Sequence, residues 1–259
     1  MTRLKVGLFG FGRTGQLVAR EILADPGLHL EWVVRRTEGQ AGASAGRLLG
    51  LESDEGRVLS LSGFRQEVAA ASRKCVDVII DFSGAAGVHA YEAVAGFGTR
   101  VVSAVSKYDE AGLAALRGMS AHAAVLHSPN ITVGINFVLV AARAMKRLVP
   151  DADVAVLEEH FREKPEVSGT AVRLAQALDL PSEAGVHSIR AGGIVGRHEV
   201  IFGLPNQTVR LVHESIHRAA FGRGAIFAAK WLVEQGRGLY TMEDAVRASM
   251  TEAFLGSAA

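Results

Sequence analysis

Glu158-Glu159-His160-Phe161-Arg162-Glu163-Lys164 closes a strand-like run, and Ser168-Gly169-Thr170 opens a helix-like one just beyond it. An imidazole, an ammonium and a helix N-terminus therefore fall within one short stretch. Side chains alternate along a strand, so Glu158 and His160 share one face, and Glu159 and Phe161 the other. A helix start offers unsatisfied N–H groups and partial positive charge. With the hydroxyls of Ser168 and Thr170 it can hold a carboxylate. His160 and Lys164 are the candidate proton donors. The set suits reduction of an unsaturated acid, with hydride from a nicotinamide and a proton from the protein. A plainer reading stands beside it: His160 at a strand edge, Lys164 solvated, and Ser168 an ordinary N-cap.

Such chemistry needs a hydride source, and the N-terminal region supplies a site for one. Residues 4–10 (LKVGLFG) read as a buried strand, and Leu17, Val18, Ile22 and Leu23 follow at helical spacing. Between them lies Gly10-Phe11-Gly12-Arg13-Thr14-Gly15, a GxGxxG loop in strand–turn–helix context. Its glycines permit the tight turn and close approach of backbone to a pyrophosphate, which then faces the helix N-terminus. An acidic residue at the tip of the next strand would bind a ribose 2′-hydroxyl. This strand ends instead in Arg35 and Arg36. Guanidinium groups suit a 2′-phosphate, so NADPH is expected in preference to NADH. A pair of solvated surface arginines is the alternative.

The elements that would position these groups alternate. Strand-like runs at 30–34, 76–82, 99–105 and 123–127 enclose a helix-like run at 87–94. This is the pattern of βαβ units, a parallel sheet covered by helices on both faces. The pattern changes near residue 133. A long helix is expected over 134–148, a strand over 153–159, and three strands over 185–190, 198–203 and 208–215, closely joined and so expected to pair antiparallel. A helix over 219–234 ends the pattern. The fold class is thus an α/β first domain followed by an α+β second domain.

Composition excludes several functions. With 259 residues, 49% hydrophobic and 21% charged, the chain suits a globular protein with a real core. A net charge of +1 gives no general attraction to nucleic acid or anionic membrane. No run approaches the length needed to span a bilayer, and the N-terminal apolar stretch is too short for a signal peptide. The single cysteine, Cys75, fits a reducing, cytoplasmic setting and reads as buried filler. His187, His198, His213 and His217 match no metal-ligand spacing, and no metal is expected.

The ordered motifs resemble the dihydrodipicolinate reductase (4-hydroxy-tetrahydrodipicolinate reductase) family of lysine and diaminopimelate synthesis, over nearly the whole chain. The matching segments are Gly10 to Gly15, Asp81-Phe82-Ser83, the stretch from Ser128 to Asn136, and Glu158, His160, Lys164, Ser168, Gly169, Thr170 and Ala171. Ser188 to Gly192, Val195 to His198, and Arg218, Phe221, Gly224 and Ala225 extend the match. The resemblance implies a Rossmann-like dinucleotide-binding domain, 1–132 with 219–259. It also implies a substrate-binding and oligomerisation domain, 133–218, whose sheet assembles a homotetramer. His160 would be the acid–base residue and Lys164 a proton donor or orienting cation. Ser168, Gly169 and Thr170 would hold a substrate carboxylate, with Phe161 beside them. Ser83, Ser103, Ala104, Val105, Ser128 and Asn130 would border the nicotinamide. The substrate would be a small cyclic imine or enamine carboxylate.

The departures cluster. Phe161 stands where the family has a second histidine that helps bind a dianion. The segment from Lys164 to Ser168 is one residue short, and the family's GTTG loop reads Ser103-Ala104-Val105-Ser106. Two further readings follow: an imine reductase or amine dehydrogenase of secondary metabolism acting on a substrate with fewer carboxylates, and a dinucleotide-binding regulator without catalysis. Retention of both His160 and Lys164 counts against the regulator.

Overall fold

The computed structural model describes residues 2–71, 73–181 and 185–256. It divides into two compact units, Met1–Ile131 with Ala219–Ala245, and Thr132–Arg218 with Val246–Ala259. The sequence reading carried 219–259 whole into the first domain, whereas Val246 onward groups with the second unit; residues 257–259 lie outside the described residues.

The chain begins β1 (Leu4–Phe9), α1 (Arg13–Ala24), β2 (Leu28–Arg35), α2 (Ala45–Leu48), β3 (Arg57–Ser60), α3 (Leu61–Glu67), β4 (Val78–Asp81) and α4 (Val88–Gly96). It continues through β5 (Arg100–Ser103), α5 (Glu110–Ser120) and β6 (Ala124–His127). The next elements are α6 (Val133–Leu148), β7 (Asp153–His160), α7 (Gly169–Ala177), β8 (Val186–Arg190), β9 (Arg197–Leu204) and β10 (Gln207–Glu214). The last are α8 (Ala219–Leu232), β11 (Gly238–Tyr240) and α9 (Met242–Gly256).

In the first unit seven strands form one sheet in the order β11-β6-β5-β4-β1-β2-β3, and every pairing is parallel. The strands are apolar on both faces because helices cover both; all four residues of β4 are buried. Phe9, Trp32, Phe64 and Tyr91 meet edge to face in the core, with ring centroids 4.8–5.7 Å apart. The strand order reverses between β1 and β4, so a crevice opens beyond their carboxyl ends, where ligands of such sheets bind. α8 returns the chain to this unit and packs on α1. Gly222 permits it, since a methyl group there would lie 2.9 Å from Glu21 Cγ and 3.1 Å from the Val18 Cα. Cys75 is half-buried against the core rather than enclosed in it.

The second unit holds a four-stranded sheet in the order β10-β9-β7-β8. One face packs on α6 and α7 through Leu139, Val156, Leu174, Val200 and Phe202. β9 and β10 pair antiparallel, as the close joining of the strand-like runs predicts. Asn206 takes a φ of 63° in their turn, a conformation asparagine tolerates. β8 departs from that expectation: it pairs parallel with β7. The helix α7 lies between the two strands and makes them a βαβ crossover, which requires parallel pairing. Among the described residues no helix is long and apolar enough to cross a membrane.

Candidate active site

The GxGxxG loop has the conformation its glycines allow. Gly10 sits at φ 92°, and a methyl group on it would lie 2.6 Å from the Phe82 carbonyl oxygen. A methyl group on Gly15 would lie 1.9 Å from the Gly10 carbonyl oxygen. Gly12 precedes the first residue of α1 and faces open space. Phe11 is buried, while Arg13 is exposed and Thr14 half-buried. A cavity of about 530 Å³ runs from this loop past Arg35, Arg36 and Thr37. Arg36 is exposed, and the Arg35 guanidinium donates to the Gln40 side chain. The cavity is walled by the ends of β1 and β2 and by the turn after β4 (Phe82 to Gly87), and its Arg35–Arg36 end is where the adenosine ribose of a dinucleotide binds in this topology.

A second cavity, about 380 Å³, lies on the β4–β5–β6 half and is lined by Thr14, Phe82, Ser83, Ala104 and Val105 among others. The three serines expected here turn their hydroxyls toward the protein. Ser83 Oγ donates to Asp81 (2.6 Å), Ser103 Oγ is paired with the Tyr108 hydroxyl (2.8 Å), and Ser128 Oγ donates to the Asn130 carbonyl (2.7 Å). Beside backbone and apolar groups, Thr14, Ser106 and Lys107 bring polar side chains to the walls of this cavity. Two adjoining cavities, a glycine turn open to a pyrophosphate and two arginines at the adenosine end fit a nicotinamide dinucleotide.

In the second unit β7 delivers Glu158 and His160 to the same face, as alternation requires. Glu158 is fully buried. Burial opposes its ionisation, but Arg190 (2.6 and 3.0 Å), Ser188 Oγ (2.6 Å), His160 (2.5 Å) and the Ser168 N–H (3.3 Å) all bond to its carboxylate. The donors prevail, and its pKa falls to about 2. An ionised Glu158 only accepts hydrogen bonds, so His160 Nδ1 carries the proton of the shared bond. Nε2 is left as the atom that can give or take a proton. Gly196 keeps a wall away from it: a methyl group there would lie 2.9 Å from Nε2.

Arg190 ties this carboxylate to the loop that carries Lys164. Its Nε donates to the Lys164 carbonyl (3.1 Å) and another nitrogen to the Glu166 carbonyl (3.0 Å). The Lys164 N–H closes a turn on the Phe161 carbonyl (3.1 Å). Phe161 itself is 41% exposed, an apolar ring next in sequence to His160. Ser168 is the N-cap of α7, its Oγ accepting from the Thr170 N–H at 3.3 Å. The plain N-cap reading is thus part of the arrangement. Gly169 faces open space at the helix start.

His198 completes the cluster from β9, opposite Glu158 in register. Its Nε2 is 2.8 Å from Ser168 Oγ, and its ring meets that of His160 edge to face at 5.3 Å. Burial, then the neighbouring His160, pushes its pKa down to about 4, so it is a neutral imidazole near pH 7. Among the described residues no group of His, Cys, Asp and Glu could hold a metal ion.

Comparison with known proteins now bears on the chain. Residues 4–131 match the description "Dihydrodipicolinate reductase, N-terminus", and residues 132–246 match "Dihydrodipicolinate reductase, C-terminus". The chain belongs to the dihydrodipicolinate reductase family. Among its relatives, the 4-hydroxy-tetrahydrodipicolinate reductase of Halorhodospira halophila is 31% identical over 270 residues, covering 94% of this chain and 98% of that protein. That of Anaeromyxobacter dehalogenans is 32% identical over 259 residues, covering 90% and 93%. A solved structure, dipicolinate-bound dihydrodipicolinate reductase from Paenisporosarcina sp. TG-14, has the same fold, with a TM-score of 0.75 at 20% identity, over 94% of this chain and 99% of that one. Membership makes the chain a nicotinamide-dinucleotide-dependent oxidoreductase of the dihydrodipicolinate reductase type.

The sequence singled out His160, Lys164, Ser168, Gly169 and Thr170, and the structure brings them together at one end of the β7–α7 pair. Glu158, Ser188, Arg190 and His198 had no role assigned. The period-two spacing of Ser188 and Arg190, matching that of Glu158 and His160, was the available signal for two of them.

Proposed function

We propose that the protein is an NAD(P)H-dependent reductase of a cyclic imine or enamine carboxylate, with the 4-hydroxy-tetrahydrodipicolinate reductase reaction as its activity. The observation that carries this reading is the Glu158–His160 pair held by Arg190 beside a capped helix start. It provides a proton-transfer atom, Nε2, next to a place for a carboxylate. The dinucleotide, when bound in the first unit, supplies hydride. Ser168, Gly169 and Thr170 anchor the substrate carboxylate. Lys164 adds a cation beside that anchor, His160 Nε2 or Lys164 delivers the proton that balances the hydride, and the 4-hydroxyl of the substrate leaves as water. Arg35 and Arg36 favour NADPH. The neutral charge balance and single cysteine fit work in the cytoplasm, and the four-stranded sheet is the surface through which a homotetramer would form.

Deuterated NADPH tests the reaction itself. Incubated with 4-hydroxy-tetrahydrodipicolinate, it is expected to yield a tetrahydrodipicolinate product carrying the label on ring carbon by mass spectrometry. Unlabelled substrate recovered beside bound NADPH contradicts the assignment.

One observation favours a second reading. The exposed Phe161 ring offers no donor, and Arg190 is fully engaged with Glu158 and its own loop. A second carboxylate would therefore lack the partners the first one has, and burying an unpaired charge is costly. A related imine with fewer carboxylates would suit the site better, in an imine reductase or amine dehydrogenase reaction. Higher turnover on the dicarboxylate by Phe161→His than by wild type would support it.

A further inference from the structure

A buried polar chain lies behind the smaller cavity of the first unit, and the acid chemistry of the second unit does not use it. Asp81, at the end of β4, is fully buried, as are Tyr91 and Ser103. No cation approaches the carboxylate within ion-pair distance among the described residues. Four donors serve it instead: the Ser83 N–H (2.8 Å) and Oγ (2.6 Å) on one oxygen, the Tyr91 hydroxyl (2.8 Å) and the Tyr108 hydroxyl (3.4 Å) on the other.

Burial pushes the Asp81 carboxyl up from its ordinary range, and the bonds from Ser83, Tyr91 and Tyr108 pull against that shift. The Tyr108 hydroxyl lies between Asp81, at 3.4 Å, and Ser103 Oγ, at 2.8 Å, and is bonded to both. Ser103 Oγ also accepts from the Val105 N–H at 3.4 Å. Val105 N–H, Ser103, Tyr108 and Asp81 form one hydrogen-bonded chain running from the loop after β5 to the loop after β4. Such chains strengthen link by link in a low-dielectric interior.

Tyr108 also reaches the third loop. Its ring meets that of His127, at the end of β6, edge to face at 5.3 Å, and His127 Nε2 lies 3.1 Å from the Val105 carbonyl. Room for the ring is provided by Gly112 in the first turn of α5, where a methyl group would lie 2.5 Å from Tyr108 Cδ1. Residues 104–107 contain no glycine and carry no side-chain bond of their own to the β4 loop. Backbone bonds from Ala104 N–H to the Asp81 carbonyl (2.9 Å) and from Ser128 N–H to the Ser103 carbonyl (3.0 Å) tie the strand ends together, and Tyr108 adds the side-chain link among the loops after β4, β5 and β6, all three of which line the 380 Å³ cavity.

We propose that Tyr108 is a positioning residue for the nicotinamide half of the cofactor, its hydroxyl holding the 104–107 loop in the shape that half requires. Preformed walls bind a ligand without a further ordering cost. The proposal rests on the dinucleotide reading of the first unit and concerns only the half of the ligand on the β4–β5–β6 side.

The test separates the two halves. Binding of NADPH and of 2′-phospho-ADP-ribose, which keeps the adenosine half and lacks nicotinamide, is measured by calorimetry for wild type, Tyr108→Phe and Ser103→Ala. Tyr108→Phe keeps the ring and removes only the hydroxyl. Loss of one or two such bonds is expected to weaken NADPH by about five- to tenfold in both variants, with 2′-phospho-ADP-ribose changed by less than about twofold. Equal weakening of both ligands marks a general structural role and overturns the proposal. So does unchanged NADPH binding in either variant. Wild type that binds neither ligand would instead overturn the dinucleotide reading, and the proposal with it.

Discussion

At the residue scale the arrangement turns on Glu158. It is a buried carboxylate with five hydrogen bonds, and it fixes three things: the His160 tautomer, the Arg190 guanidinium and the first N–H of the α7 cap. Its pKa is lowered from 4.5 to about 2, so the folded state binds the proton less well than the unfolded chain. The stability it contributes is fully present above pH 4.5 and is lost as pH falls toward 2. His198 acts in the same direction at higher pH. Its pKa falls from 6.5 to about 4, so acid favours the unfolded chain across that window and stability drops as pH falls through it. Thermal denaturation at a series of pH values should show a two-stage loss. His198→Gln is expected to flatten the upper stage and Glu158→Gln the lower one. Glu158→Gln should also cost about 3 kcal/mol or more at neutral pH, because it leaves the Arg190 charge unpaired. A Glu158→Gln protein with unchanged melting temperature and unchanged acid sensitivity would contradict this account of the site.

At the scale of elements, chemistry is placed by where strands and helices end. β1 stops at a glycine turn, and the close approach of Gly15 to the Gly10 carbonyl brings α1 against it. Gly15→Val is expected to abolish dinucleotide binding while leaving the second unit's sheet intact. Calorimetry with NADPH, alongside circular dichroism, would check both. The sequence disclosed these endings well, because GxGxxG and the strand-to-helix switch at Ser168 are local patterns. It disclosed α5 and β3 poorly: β3 is four residues long, and α5 is rich in alanine and glycine, so neither carries enough periodicity to stand out. The parallel pairing of β8 was not legible either. Two strands joined by a helix and two joined by a turn look alike when only strand-like runs are read, and the pairing partner is set by tertiary packing.

At the scale of the whole molecule, the division of labour was readable from the order of motifs, and the family match bears out the two-part fold. The polar support behind the site was not readable. Arg190, Ser188 and His198 come from strands far along the chain from Glu158, and the matching period-two spacing of Ser188 and Arg190 puts them on one strand face without saying which strand that face meets. Asp81, Tyr108 and Ser103 are likewise joined only by folding. The sequence thus proposed the groups that would touch ligands, and the structure adds the groups bonded to them. Phe161 is one of the departures expected from the family's pattern, with the short Lys164–Ser168 segment and the Ser103–Ser106 loop, and turnover on a dicarboxylate decides what it means.

The most direct measurement is the steady-state oxidation of NADPH with 4-hydroxy-tetrahydrodipicolinate by wild type and by the His160→Ala, Lys164→Ala double variant, with NADPH affinity determined for both. The account predicts turnover by wild type, a loss of about a hundredfold or more in the double variant, and NADPH affinity unchanged between them. Equal turnover in the two proteins would contradict the assignment of proton transfer to this site.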